Sequence, residues 1–165
     1  MKVQGRIIKL GDNIDTDIII PARYLMTHDA TTLAEHVFED YYPEFKVKAR
    51  KGAIIVGGEN FGLGSSREHA VIALKNSNVK AIVAKSFARI FYRNSINLGL
   101  PALVLREKNK FDRIIDGDEA ELDLTKGVLN SLATNEEFSC DKMPEFMMKI
   151  IESGGLINYF MARNK

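Results

Sequence analysis

Short apolar runs and stretches of helical spacing take turns along the first two thirds of the chain. Residues 3–10 carry a strand pattern that stops at Gly11-Asp12-Asn13, a turn signal. Residues 52–58 are an apolar run between glycines, and 79–84 and 102–105 are two more apolar runs, as buried parallel strands require. Between them, 65–76 sets Ala70, Val71 and Leu74 on one helical face, and 87–98 is a second amphipathic helix closed by Gly99. Ahead of these, 15–21 passes from polar residues through isoleucines to Pro21, which predicts an extended segment entering a loop. The spacing of Leu33, Val37 and Phe38 predicts a helix over 31–38 with Thr31 or Thr32 as its cap, and 41–50 is irregular. Strand and helix in alternation imply an α/β fold with a mostly parallel sheet flanked by helices and right-handed crossovers. The tail differs: 112–130 reads as a β-hairpin turning at Thr125-Lys126-Gly127, 144–151 as a helix ended by Gly154-Gly155, and 156–162 as a last short helix. No repeat, low-complexity tract or linker interrupts the chain, so 1–165 is expected to form a single domain.

Composition narrows the function classes. Hydrophobic residues make up 45% and charged residues 27%, values of a globular protein and too apolar for disorder. The formal net charge of +1 gives no general pull on a polyanion, and the densest basic stretch, KVKARK at 46–51, has the form of a solvated face. Nucleic acid is therefore not an expected partner. The lone cysteine, Cys140, forms no internal disulfide and suits a reducing cytoplasm. One thiol is also too few for an iron–sulfur cluster, which takes several thiolates. No apolar run reaches the roughly 20 residues that cross a bilayer, and MKVQGR at the start lacks a signal-peptide core, so the expectation is a cytoplasmic protein without a membrane partner.

The most informative stretch is GGENFGLGSSREH at 57–69, between a predicted strand and a predicted helix. Ligands of open α/β sheets bind at the carboxyl ends of the strands, and a helix start offers unpaired N–H groups to an anion. Gly62 and Gly64 permit close backbone approach, and Arg67 adds a fork of donors matched to a carboxylate. A phosphate-binding Walker loop would need a lysine here, and a dinucleotide loop a glycine where Arg67 stands. The loop is thus built for a smaller anion, such as a di- or tricarboxylate. Ser65 and Glu68 also have the spacing of a capping box, a purely structural device.

Together with three other segments, this loop resembles the swivel domain of the aconitase superfamily. The four are DNIDTDIIIPARYL at 12–25, GENFGLGSSREHA at 58–70, KSFARIFYRNSIN at 85–97 and GGLINY at 154–159. They run in the family's order over nearly the whole chain. The resemblance implies a β/β/α swivelling domain and a hydro-lyase that moves a hydroxyl between adjacent carbons by dehydration and rehydration. It implies a separate large subunit holding a [4Fe–4S] cluster, with no cluster or other metal bound by this chain. Carried over residue by residue, Ser65 is the catalytic base, and Ser66 and Arg67, beside Gly64, hold the substrate carboxylate. Tyr24, Leu25, Met26 and Thr27 match the segment that reads the substrate's variable group in two-subunit members, and Arg23 is a weaker substrate contact. Met26 stands where arginine serves an extra carboxylate, which favours a branched alkyl group such as isopropyl. Homocitrate-type and dimethylated malate substrates, or a stand-alone carboxylate-binding module, are the alternatives. Apolar surface left without its partner would allow the isolated chain to self-associate. Asp12, Asp15 and Asp17 lack the glycine and glutamate of a calcium loop and are expected to order a turn. His69 is expected to be a hydrogen-bonded support, and Phe91 and Tyr92 to lie in the core.

Overall fold

A computed structural model describes residues 1–165. Four of its strands are β1 (Lys2–Lys9), β2 (Ala53–Gly57), β3 (Val79–Ala84) and β4 (Ala102–Val104), paired in parallel in chain order. β2 is buried at every position, which is why its sequence shows a continuous apolar run rather than an alternation. Three short helices, α1 (Thr16–Ile19), α2 (Ala30–Glu35) and α3 (Phe45–Lys48), fill the crossover from β1 to β2. α4 (His69–Asn76) and α5 (Arg89–Asn97) make the next two crossovers.

The tail continues the same sheet. β5 (Glu119–Asp123), β6 (Val128–Ser131) and β7 (Glu137–Ser139) form an antiparallel meander, and β5 pairs with the free side of β1. The result is a seven-stranded sheet in the order β4-β3-β2-β1-β5-β6-β7. β7 was not legible as a strand because its three residues are too few to show a period. The sheet then curls until its two ends touch. Leu105 bridges Cys140, the Arg106 N–H donates to the Ser139 carbonyl at 2.8 Å, and the Asp141 N–H donates to the Val104 carbonyl at 2.8 Å.

Curling separates two cores, and the strand period assigns residues to them. Ile7, Ile54, Val83, Leu122 and Phe138 fill the inside of the curl, while Ile8, Ile55 and Ile82 face outward onto Leu33, Phe45, Val71 and Leu74 of the helices. α6 (Glu145–Glu152) sends Ile151 into the inner core, and α7 (Leu156–Arg163) packs on α6 and α5.

Several boundaries differ from the sequence pattern for local reasons. Residues 15–21 do not stay extended, because the Asp15 carboxylate accepts the Ile18 N–H at 2.8 Å and winds one helical turn. α2 starts at Ala30, capped by Asp29 rather than Thr31 or Thr32; Asp29 takes both the N–H and the hydroxyl of Thr32. Residues 65–68, expected to open a helix, are loop, and α4 begins at His69. No helix is long and apolar enough to cross a membrane.

Candidate functional site

Three segments far apart in sequence are stitched together at the carboxyl ends of β1, β2 and β3. The Asn13 N–H donates to the Glu59 carbonyl, and the Asp12 carboxylate accepts the Glu59 N–H, both at 2.8 Å. Further along, Gly62 N–H meets the Ile14 carbonyl at 2.7 Å and Thr16 N–H meets the Leu63 carbonyl at 2.9 Å. The third segment joins through Ser86, whose hydroxyl accepts the Asn60 N–H at 2.8 Å and donates to the Glu59 carboxylate at 2.6 Å. Two glycines are required here. A Cβ on Gly58 would overlap the Asp12 carboxylate, and one on Gly62, at φ 84°, would collide with the Phe91 ring.

Ser65 sits at the apex of this stitching. Its N–H donates to the Thr16 hydroxyl at 3.0 Å, and its own hydroxyl oxygen accepts the Arg67 N–H at 3.1 Å. That second bond, two residues along rather than three, is the reason no capping box forms with Glu68. Asn94 of α5 donates to the Ser66 carbonyl at 3.1 Å and ties the loop to the third segment. The Arg67 guanidinium has no ion-pair or hydrogen-bond partner in the chain and stands free for an anion. Ser65 and Arg67 line a shallow cleft with Thr16, Asp17, Leu25 and His69. It encloses about 10 Å³, room for one water at most. A dicarboxylate bound there would be covered on one side only. The roomiest groove, about 450 Å³ between α5, α6 and α7, shares no residue with it.

The segment expected to read the substrate shares the cleft with Arg67 through Leu25. A 3₁₀ turn at Ala22–Tyr24 leads into it. Leu25 faces the cleft, while Met26 is 94% exposed. The Thr27 hydroxyl accepts the Asp29 N–H at 3.1 Å. Arg23 and Tyr24 are turned away and anchor the turn. Arg23 grips both oxygens of Asp40 at 2.8 Å and reaches Glu39 at 2.7 Å. Tyr24 donates to Glu39 at 2.5 Å and stacks on His36 with ring centroids 4.0 Å apart. These bonds hold the Glu39 and Asp40 carboxyls below their usual range, Glu39 chiefly through Tyr24 and Asp40 chiefly through Arg23. Ser65, Arg67 and Leu25 thus share one cleft, with Gly64 and Ser66 beside it, whereas Arg23 is committed elsewhere.

His69 does not behave as expected. It is 5% exposed, yet neither ring nitrogen makes a hydrogen bond, although the Leu25 and Thr27 backbone lies on its side of the cleft. Burial first, then the nearby His28 and Arg67, hold its basicity below the ordinary histidine value. The sequence marks His69 as a support beside the motif, but an unpaired imidazole pointing inward at the first position of α4 leaves no trace in the hydrophobic pattern. Phe91 is buried and Tyr92 packs on the inner core, as expected of core residues.

No three metal-ligating side chains converge anywhere in the fold. Asp12 and Asp15 spend their carboxylates on backbone N–H groups. Cys140 is 3% exposed on the inner core, where burial pushes its thiol up to about 12. A lone buried thiol of this kind does not suit an iron–sulfur cluster.

Comparison with known proteins matches residues 5–108 to the aconitase C-terminal domain family. A 3-isopropylmalate dehydratase small subunit of Nautilia profundicola is 55% identical over 157 residues, 95% of this chain and 93% of its own. One of Clostridium botulinum is 52% identical over 165 residues, the whole of both chains. The crystal structure of 3-isopropylmalate dehydratase from Methanocaldococcus jannaschii superposes with a TM-score of 0.91 at 45% identity, over 99% of this chain and 96% of that one.

Proposed function

Because this chain belongs to the 3-isopropylmalate dehydratase small-subunit family of the aconitase superfamily, a family of hydro-lyase subunits of leucine biosynthesis, we propose that residues 62–67 supply its base and carboxylate receptor. The observation that carries the assignment is the pairing of Ser65 with the Arg67 N–H at 3.1 Å beside an unpaired Arg67 guanidinium. A serine hydroxyl is a weak base and needs stabilisation as the alkoxide. A preplaced N–H and a free guanidinium supply that in the manner of an oxyanion hole. In the forward direction Ser65 Oγ takes the proton from the carbon next to the one that loses hydroxide, and a double bond forms between them. On rehydration the proton and hydroxide return to exchanged carbons. Arg67, with Ser66, holds a substrate carboxylate through this cycle; Arg23 is less suited, since Asp40 and Glu39 already occupy its donors.

Small-subunit family membership implies a large-subunit partner. We assign to that partner a [4Fe–4S] cluster, which would supply the Lewis acid for loss of the hydroxyl, since the side chains of this chain do not suit it. The shallow cleft fits this division, because closing it over a substrate takes a second surface. Met26, apolar and exposed, suits the isopropyl group of 2- and 3-isopropylmalate. The test is Ser65→Ala, assembled with the large subunit. Turnover should fall by about 10²–10⁴-fold, as loss of a general base does, with cluster content and complex formation unchanged. Turnover near wild type would refute the assignment.

A further inference from the structure

His69 is one of very few buried polar side chains, and it lines the cleft together with Ser65 and Leu25. A leucine would fill the same space without leaving two nitrogens unpaired. The ring therefore carries hydrogen-bonding capacity that this arrangement of the chain does not use. Two contacts indicate what would use it. His28, at the end of the segment, packs on it with ring centroids 4.6 Å apart and planes inclined by 39°. Leu25 also lines the same cleft as His69, and the nearby Leu25 and Thr27 backbone favours the protonated ring, although neither ring nitrogen meets a partner in hydrogen-bond geometry.

We propose that His69 is the positioning residue of the substrate-reading segment: its imidazole holds the backbone of Leu25 or Thr27 and so fixes where Met26 stands over the cleft. This rests on the assignment above of Met26 to the substrate's isopropyl group. Burial keeps the ring neutral, and a neutral imidazole has one N–H. It can donate to only one of the two carbonyls at a time. Met26 lies between them in the chain, so the choice of carbonyl moves its side chain relative to Ser65 and Arg67. The ring is already covered, so a small shift of the segment pairs it with one carbonyl or the other, and substrate in the cleft selects between them. His69 touches neither the reacting carbon nor the carboxylate and acts through the segment alone.

The test uses the assembled two-subunit enzyme with His69→Leu, His69→Asn, His28→Ala and, as controls, Ser65→Ala and Met26→Arg. KM and kcat are measured for isopropylmalate and for a homoaconitate-type acid bearing an extra carboxylate. His69→Leu should raise KM for isopropylmalate about tenfold, the value of one lost hydrogen bond at the site, with a smaller change in kcat. Its preference for isopropylmalate over the charged acid should shrink. His69→Asn keeps a donor and should recover most of both, and His28→Ala, which unseats the segment from above, should shift KM in the same direction. Should His69→Leu not fold, His69→Asn and His28→Ala carry the comparison. Unchanged KM and preference in folded His69→Leu, or equal damage from leucine and asparagine, overturns the proposal. An unchanged preference in Met26→Arg instead sinks the reading of Met26, and a Ser65→Ala enzyme that stays active sinks the catalytic assignment, so the failures are separable.

Discussion

Replacing Gly62 by alanine tests the stitching at the carboxyl ends of the strands. Gly62 has φ 84°, and a Cβ there would collide with the Phe91 ring, which is itself 3% exposed. The left-handed backbone costs an alanine about 1–2 kcal/mol. Forcing a buried phenylalanine aside adds about 1–3 kcal/mol of overpacking. The sum is about 2–5 kcal/mol, and at about 2–4 °C per kcal/mol for a chain of this size the melting temperature should fall by about 4–20 °C. Thermal unfolding of the isolated chain by circular dichroism reads this directly. The physical cause is checked by combining Gly62→Ala with Phe91→Leu. If the ring is the obstacle, the double variant is more stable than additivity predicts by about 1 kcal/mol or more. A single variant within about 0.5 kcal/mol of wild type, or strict additivity, would refute the steric account. Gly64→Ala is the companion: its Cβ would stand 3.0 Å from the Thr16 hydroxyl, the group that accepts the Ser65 N–H. It should melt closer to wild type yet lose activity, because the strain falls on Ser65 and not on the core.

Met26→Arg should raise turnover of homoaconitate-type acids relative to isopropylmalate in the assembled enzyme; an unchanged ratio would remove the segment's role as reader. Cys140, buried with its thiol pushed up to about 12, should resist a thiol reagent at pH 8 in the native chain and react fully in denaturant, and rapid native labelling would contradict its place in the inner core. The Asp40 and Glu39 carboxyls are held below their usual range by Arg23 and Tyr24, so their stabilising contribution is present above about pH 4–5 and is lost as the pH falls through the depressed values. Acid unfolding curves should therefore show a shallower pH dependence in Arg23→Ala than in wild type. Asp15→Ala should destabilise by about 1 kcal/mol, the value of a helix cap, in a chemical denaturation experiment.

The strands were legible because burial on both faces writes a run of apolar residues that glycines bound, as at Ala53–Gly57. The meander was half legible: its turn residues and alternation gave β5 and β6, but nothing in residues 119–123 announces that they add to β1, 117 residues away in the case of Gln4 and Glu121. At the site, Ser65, Arg67 and Leu25 come to one cleft while Arg23 and Tyr24 do not, and the local geometry of the loop was not legible. Ser65 and Glu68 have capping-box spacing, yet the Thr16 hydroxyl, 49 residues distant, takes the Ser65 N–H and turns the loop so that Arg67 N–H reaches Ser65 first. Long-range polar contacts of this kind have no periodicity, so no pattern along the chain reports them. The same applies to Arg23, whose acidic partners lie 16 and 17 residues on, and to His69, whose unusual state is a matter of what it lacks.

The meeting of Leu105 with Cys140 has a bearing on how this subunit associates. A sheet whose ends touch offers no row of unpaired N–H and C=O groups along a flank. Its terminal strands are also only three residues long. Strand addition, a ready route to accidental aggregation, is thereby disfavoured for this subunit. Recognition is left to side chains and loops, which can discriminate between partners where a bare backbone flank cannot.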